Sequence, residues 1–409
     1  MQTHNVNIAL TRTDLVGGHV QGYCAPHFQP LLNAFVENFN SDVEQGASLT
    51  VERDGETVID VWGGFADVAA QRPWKQDTIG VVFSNTKAAT ALCAHILADS
   101  GVLDIDQRVA HYWPEFAVEG KGDITVRMLL DHTAGVPALR EMLPDGAVFD
   151  WAEMTTRLAA EAPYWTPGTS VGYHGLTFGW LVGEVVRRVA GQSLGGFFHE
   201  HVAKPLDMDF WIGLPESEEP RTATIIPAKP ADQPRNAFER AIATEPDSIS
   251  NLYFRNTGGW RPSGFNSRRG HAAEIGAAGG ITNGRSLARM YSALALGGER
   301  HGVKVIGRDT LDRARDVSSA TNLDVCLLVP TRFAAGFMRS MDNRRRGLDS
   351  AVFGRDAFGH VGAGGSLGFA SLQHRIGFGY TMNHMGPGVL LNSRANRLTQ
   401  ALYKVLTPC

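Results

Sequence analysis

The chain of 409 residues exceeds one compact core, and its 43% apolar and 20% charged residues exclude a disordered or fibrous protein. A net charge of −4 and a pI near 6.4 leave no electrostatic footprint for nucleic acid. No stretch approaches about 18 consecutive apolar residues, so no transmembrane helix and no membrane partner are expected.

The first twenty residues lack a basic region followed by an apolar one, which predicts a cytoplasmic protein without a secretory signal. Cys24, Cys93, Cys326 and Cys409 are scattered, with no metal-ligand spacing, and are expected to be free thiols in a reducing compartment. Residues 28–39 carry apolar side chains at helical spacing. Two β-rich runs, 47–51 and 57–62, flank Asp54-Gly55, the signal of a tight hairpin. The N-terminal part therefore reads as a helix followed by an antiparallel pair. A short apolar run, 80–83, then delivers the chain to Ser84 as a buried strand.

From about residue 85 to 215 the pattern is helical, as in 125–130 and 176–189, punctuated by Gly135, Pro137, Pro167-Gly168 and Gly191. Residues 228–272 are polar, rich in Pro, Gly and Arg, and without clear periodicity. A loop of that length in a compact chain suggests a lid or substrate wall. Helix resumes over 287–296. Strands are expected over 332–338, 365–373 and 376–382, and a closing helix over 389–405. Strand-rich ends around a helical middle predict an α/β sheet domain from residues 1–84 and 273–409, with a helical domain, 85–272, inserted in it.

Ser84-Asn85-Thr86-Lys87 carries the chemistry. At i and i+3 on a helix, Ser84 and Lys87 share one face with Cβ atoms roughly 5–6 Å apart. No other lysine has a serine three residues before it. A serine hydroxyl is inert without a base, and Lys87 is a base only if its pKa falls from about 10.4 towards 7–8. Burial or a group that shares its proton must supply that shift. Tyr173, in Pro167-Gly168-Thr169-Ser170-Val171-Gly172-Tyr173-His174, stands where a loop meets a helix and is the candidate second group. A third element, Phe358-Gly359-His360-Val361-Gly362-Ala363-Gly364-Gly365, is dense enough in glycine for a substrate to approach the backbone. Its N–H groups, with that of Ser84, suit an oxyanion hole.

Other constellations compete. Gly364-Gly365-Ser366-Leu367-Gly368 fits the G-x-S-x-G nucleophile elbow, but no Asp or Glu follows Asp356, so the later histidines have no downstream acid. His199 and His201 stand at i and i+2 and do not share a helix face, so no metal site is expected. Asp131 and His132 suggest a triad with Ser84 but read as a helix end and turn beside the cleft. Arg344-Arg345-Arg346, flanked by Asp342 and Asp349, reads as a solvated loop.

In their order along the chain the three elements resemble the serine β-lactamase and penicillin-binding-protein superfamily, and within it class C β-lactamases and the related family VIII carboxylesterases. Leu129-Leu130-Asp131-His132-Thr133-Ala134-Gly135-Val136-Pro137 and Ala277-Ala278-Gly279-Gly280 are similar to further segments of that superfamily. The resemblance implies an antiparallel sheet flanked by helices, no cofactor, and a small-molecule ester substrate. It also implies an acyl-enzyme on Ser84, a proton shared by Lys87 and Tyr173, an oxyanion hole from the N–H groups of Ser84 and Ala363, and substrate contacts from His174, His360 and Gly362. Gly175 stands where class C enzymes have Asn, and His360 where they have Lys. Both departures favour uncharged, short-acyl esters over β-lactams. An amidase, peptidase, acyltransferase or weak β-lactamase on the same scaffold remains open, as does a silent binding protein.

Overall fold

The computed structural model describes residues 4–41, 44–229 and 232–407. Its main sheet is antiparallel, in the order Asn5–Ala9, His19–Cys24, Glu56–Asp67, Gly46–Arg53, Ile376–Met382, Leu367–Ser371, Phe358–Val361, Met338–Arg339, Thr331–Ala334, Val317–Thr321. The two ends of the chain meet at its centre, where Leu49 faces Tyr380 and Val51 faces Phe378. The Asp54-Gly55 turn takes φ of 55° and 85°, the paired left-handed geometry that matches strand twist.

Both sheet faces are covered. Phe378, Tyr380 and Leu49 pack with the helices Gln29–Ser41 and Ser393–Leu406. On the opposite face, Gly377 and Gly379 alternate with those large residues, and the helix Gly284–Ala295 lies directly on them. A Cβ on Gly377 would come within 2.2 Å of Ala288 O, so the alternation is what lets helix and sheet approach this closely.

The helix Thr86–Asp99 is buried on nearly every side and lies against Thr177–Ala190, Leu194–Phe198 and Arg308–Arg315. A second sheet, Gly80–Val81, Gly280–Thr282 and Phe210–Ile212, brings the chain to the start of that helix. No helix among the described residues is long and apolar enough to cross a membrane. Cys24, Cys93 and Cys326 are buried free thiols, and Cys409 lies outside the described residues.

Five expectations need correction. Two strands precede the first helix, and Asn5–Ala9 pairs with His19–Cys24 as an edge hairpin. A further strand, Val317–Thr321, was not expected. Residues 332–338 form no single strand: Gly336 has φ of 87° and the chain folds back, with Ala334 N donating to Phe337 O at 2.8 Å. Residues 228–272 are no structureless loop, for they contain the helices Ala237–Thr244, Ile249–Arg255, Pro262–Phe265 and Arg268–Ala272. The closing helix also begins later than expected, at Ser393, capped by Asn392.

One ion pair ties the chain ends together. Arg394 Nη1 lies 2.6 Å from Glu44 Oε1, both side chains being buried, and Tyr380 donates to the same carboxylate. Arg394 Nη2 also donates to His384 O at 2.7 Å and Gly364 O at 3.2 Å. Removing one partner of such a pair strands the other charge in the core. Arg394→Ala is therefore expected to lower stability by about 3–5 kcal/mol. The urea midpoint measures this, and an unchanged midpoint would mean that the pair carries no part of the fold's stability.

Candidate active site

The chain enters the site through a strained residue. Phe83 has φ of 47°, a conformation that costs a bulky residue on the order of 1–3 kcal/mol. Its ring is held edge-on by Phe265 at 5.3 Å. Ser84 follows in the turn Phe83–Asn85, and the helix Thr86–Asp99 begins beyond it. Every residue of the tetrad has a defined partner. Thr86 Oγ1 donates to Phe83 O at 2.6 Å and accepts from Gly280 N at 2.8 Å. Asn85 Nδ2 donates to Ser366 Oγ at 3.0 Å, and Ser366 Oγ donates to Val82 O at 2.9 Å. Ser366 is thus fully buried and committed, which removes it as a nucleophile.

Lys87 is 0% exposed. Its Nζ lies 3.2 Å from Ser84 Oγ, 3.0 Å from Ala277 O and 4.8 Å from the centre of the Tyr173 ring. Among the described residues no carboxylate offsets the loss of hydration, and burial pushes the amine well below its ordinary pKa of 10.5. A neutral amine has a lone pair, so it can donate to the Ala277 carbonyl while accepting the Ser84 proton. The Ala277-Ala278-Gly279-Gly280 segment thereby supplies both the lysine's carbonyl and the N–H that Thr86 receives.

Tyr173 is buried, with its ring stacked on Phe333 at 5.8 Å and its hydroxyl hydrogen-bonded to Ser84. Burial is the main cause that raises the phenol above its ordinary value. Its backbone N–H donates to both oxygens of Asp324 at 3.1 Å. Asp324 also accepts from Cys326 N, Leu327 N and Thr331 Oγ1, so one buried carboxylate fixes the tyrosine's backbone. The sequence reading missed it. The signal available was an Asp followed at two and three residues by backbone donors, the local turn that Asp favours.

Three histidines surround this group, and all are buried. Burial lowers His132 well below its ordinary value and carries His174 and His360 down to about 3, so the site contains no imidazolium at neutral pH. His132 Nδ1 accepts from His174 N at 3.1 Å. His174 Nδ1 pairs with Gly172 O at 2.7 Å and Nε2 accepts from Val136 N at 3.0 Å. With both ring nitrogens engaged by backbone, His174 braces the tyrosine loop. His360 Nδ1 pairs with the neighbouring Val361 O at 2.7 Å, and its ring lies 6.0 Å from that of Tyr173. Asp131 accepts from Thr133 and Ser318, a turn-stabilising role with no reach to Ser84.

The glycine-rich turn closes the site. Gly362 N donates to Ser366 O at 2.8 Å, so its N–H is spent within the turn and is not available to substrate. A Cβ at 362 would fall 2.3 Å from Val82 O, and only glycine lets the turn sit against the residues before Ser84. The N–H groups of Ser84 and Ala363 have no backbone acceptor among the described residues, and both residues are half-buried. His199 stacks on Trp211 at 4.8 Å and His201 on Phe197 at 4.2 Å, as packing residues. Among the described residues no group of three or more His, Cys, Asp or Glu is arranged to hold a metal ion.

With this geometry in place, comparison with known proteins is informative. The Beta-lactamase family model matches residues 32–402. The esterase/β-lactamase LipL of Mycobacterium tuberculosis is 35% identical over 389 residues, which cover 93% of this chain and 86% of that protein. The crystal structure of a family VIII carboxylesterase superposes with a TM-score of 0.84 at 38% identity, covering 94% of this chain and 99% of its own. A penicillin-binding-protein homologue from Caulobacter crescentus superposes with a TM-score of 0.84 at 33% identity, covering 94% and 99%.

The state of Lys87 has a measurable consequence for stability. Its folded pKa lies below its unfolded one, so between the two the unfolded chain binds the extra proton and stability rises with pH. Lys87→Met removes this contribution. The variant is expected to lose activity by about 10³-fold or more, yet to be at least as stable as wild type at pH 7. Its advantage should fade as pH approaches 10.5. Urea midpoints at neutral and alkaline pH test this, and a variant less stable at pH 7 than at high pH, relative to wild type, would contradict a neutral buried amine.

Proposed function

The chain belongs to the Beta-lactamase family, and from that premise we propose that it is a serine carboxylesterase that cleaves short-acyl carboxylic esters through an acyl-enzyme on Ser84. The observation that carries this reading is the Lys87 amine, buried without a carboxylate and 3.2 Å from Ser84 Oγ. The names of its relatives, esterase/β-lactamase and family VIII carboxylesterase, support the choice of substrate class. The domain organisation that goes with it is a sheet unit from residues 1–84 and 273–409 around a helical unit, 85–272.

Ser84 Oγ attacks the ester carbonyl as its proton passes to the Lys87–Tyr173 pair. The two groups titrate together, and apparent pKa values belong to the pair. Negative charge grows on the carbonyl oxygen, where the N–H groups of Ser84 and Ala363 receive it. Tyr173 then returns the proton to the leaving alcohol. Water, activated by the same pair, attacks the acyl-enzyme and frees Ser84. The absence of an imidazolium or ammonium at position 360 favours an ester without a carboxylate near the scissile bond.

A fluorophosphonate should add one adduct to the intact protein, mapping to Ser84 and absent in Ser84→Ala. That variant should lose p-nitrophenyl acetate turnover by about 10³-fold or more, and Tyr173→Phe by about 10²–10⁴-fold. An adduct on Ser366, or persistent turnover without any adduct, would sink the mechanism. Matched amide and β-lactam substrates run beside the ester fix the reaction class.

A further inference from the structure

Gly175, two residues after Tyr173, has no side chain because another residue stands in its place. A Cβ at 175 would lie 2.2 Å from Tyr253 Cε2 and 2.9 Å from its Cδ2 and Cζ. Tyr253 comes from the helix Ile249–Arg255, far away in sequence. Its half-buried ring lies 6.2 Å from that of Tyr173 and 6.0 Å from that of Phe238.

The helix that presents it is fastened on three sides. Ser250 Oγ donates to Cys326 O at 2.7 Å, which ties it to the turn whose Asp324 holds the Tyr173 backbone. Asn251 Nδ2 donates to Ile242 O at 2.7 Å, within the same segment. At the far end Asn256 Nδ2 donates to Leu139 O and Glu141 O, and Asn256 Oδ1 accepts from Leu143 N. Side-chain hydrogen bonds at both ends of so short a helix make it a fixed wall rather than a lid.

We propose that Tyr253 is the specificity-determining wall of the Ser84 site, its ring filling the volume left by Gly175 and limiting the size of the ester group beside Tyr173. The inference rests on the esterase reading and deepens it: the substrate class is compact esters. Selection comes from excluded volume. A pocket that lacks room for one more methylene discriminates by about 10-fold or more.

The test compares wild type, Tyr253→Ala and Tyr253→Phe on p-nitrophenyl esters from acetyl to dodecanoyl, and on acetates of alcohols of increasing size. In wild type kcat/KM should fall with size in at least one series. Tyr253→Ala should move that fall to larger groups, raising kcat/KM for the first excluded ester by about 10-fold, mainly through KM. Tyr253→Phe, which keeps the ring, should keep the wild-type limit. Gly175→Ala should reduce kcat/KM by about 10-fold in wild type and have little effect in the Tyr253→Ala background, since the clash partner is then gone. If Tyr253→Ala does not fold, Tyr253→Leu serves the same comparison. An unchanged size profile in both series, or a Gly175→Ala loss equal in both backgrounds, overturns the proposal. Fluorophosphonate labelling of Ser84 in each variant keeps the outcomes distinguishable: loss of labelling in wild type defeats the esterase reading, whereas intact labelling with unchanged profiles defeats only the role of Tyr253.

Discussion

The rest of the structure depends on one desolvated amine. Lys87 lies in a helix buried on nearly all sides, a position that an ammonium holds only at high cost without a counter-charge, and none is present among the described residues. The surroundings are consistent with neutrality throughout. A peptide carbonyl, Ala277 O, receives one N–H, and the Tyr173 and Phe178 rings line the other side. The three nearby histidines are held neutral by the same burial. The one buried carboxylate close to Tyr173, Asp324, faces backbone N–H groups rather than the lysine. A carboxylate beside Lys87 would stabilise the ammonium and remove the base.

That arrangement needs a rigid frame, because a water or a shifted carboxylate would restore the charge. The frame is built from contacts between segments distant in the chain. Thr86 and Thr90, on the same helix as Lys87, hold Gly280 N and Gly276 O. His95, two turns further on, binds Ala335 O in the turn between the strands Thr331–Ala334 and Met338–Arg339. On the other side the glycine-rich turn is fixed from behind. Gly364 O accepts from Asn392 Nδ2 at 2.8 Å and from Arg394, the residue paired with Glu44. The ion pair that joins the chain ends therefore also sets the turn that carries Ala363.

What could be read from the sequence follows from the range of the interaction concerned. The Ser84–Lys87 spacing, the Asp54-Gly55 hairpin and the helices over residues 86–99 and 177–190 are local patterns, each several residues of consistent periodicity or one turn signal. The helices of 228–272 span four to eight residues, too short for a 3.6-residue period to show. Their caps, Asn236, Ser248 and Ser267, were the readable signal, since each side chain accepts an N–H of the first turn. Asn5–Ala9 alternates polar and apolar residues over only five positions, and in His19–Cys24 a central Gly22 interrupts the pattern, so neither stands out as a strand. Adjacency along the chain does not give His174 and Tyr173 the same partners: the imidazole meets the backbone of Gly172 and Val136, the phenol meets Ser84. Asp324 meets Tyr173, and Tyr253 meets Gly175, from segments far apart in the chain, beyond the reach of any local pattern.

An uncharged resting site also constrains the chemistry it can perform. Burial lowers the pKa of the Lys87 amine and raises that of the Tyr173 phenol, so both are pushed towards their neutral forms. In the mechanism we propose, a cation on the Lys87–Tyr173 pair and an anion on the substrate oxygen arise together, in a medium where such a pair attracts far more strongly than in water. Their creation as a pair offsets the penalty that burial places on each alone. A substrate that brought its own permanent carboxylate would meet no fixed cation at position 360 and would favour protonation of Lys87 before attack, disabling the base. A neutral histidine at 360 and a glycine at 175 covered by Tyr253 act in one direction under the proposed reading: they keep charge and bulk away from the buried amine.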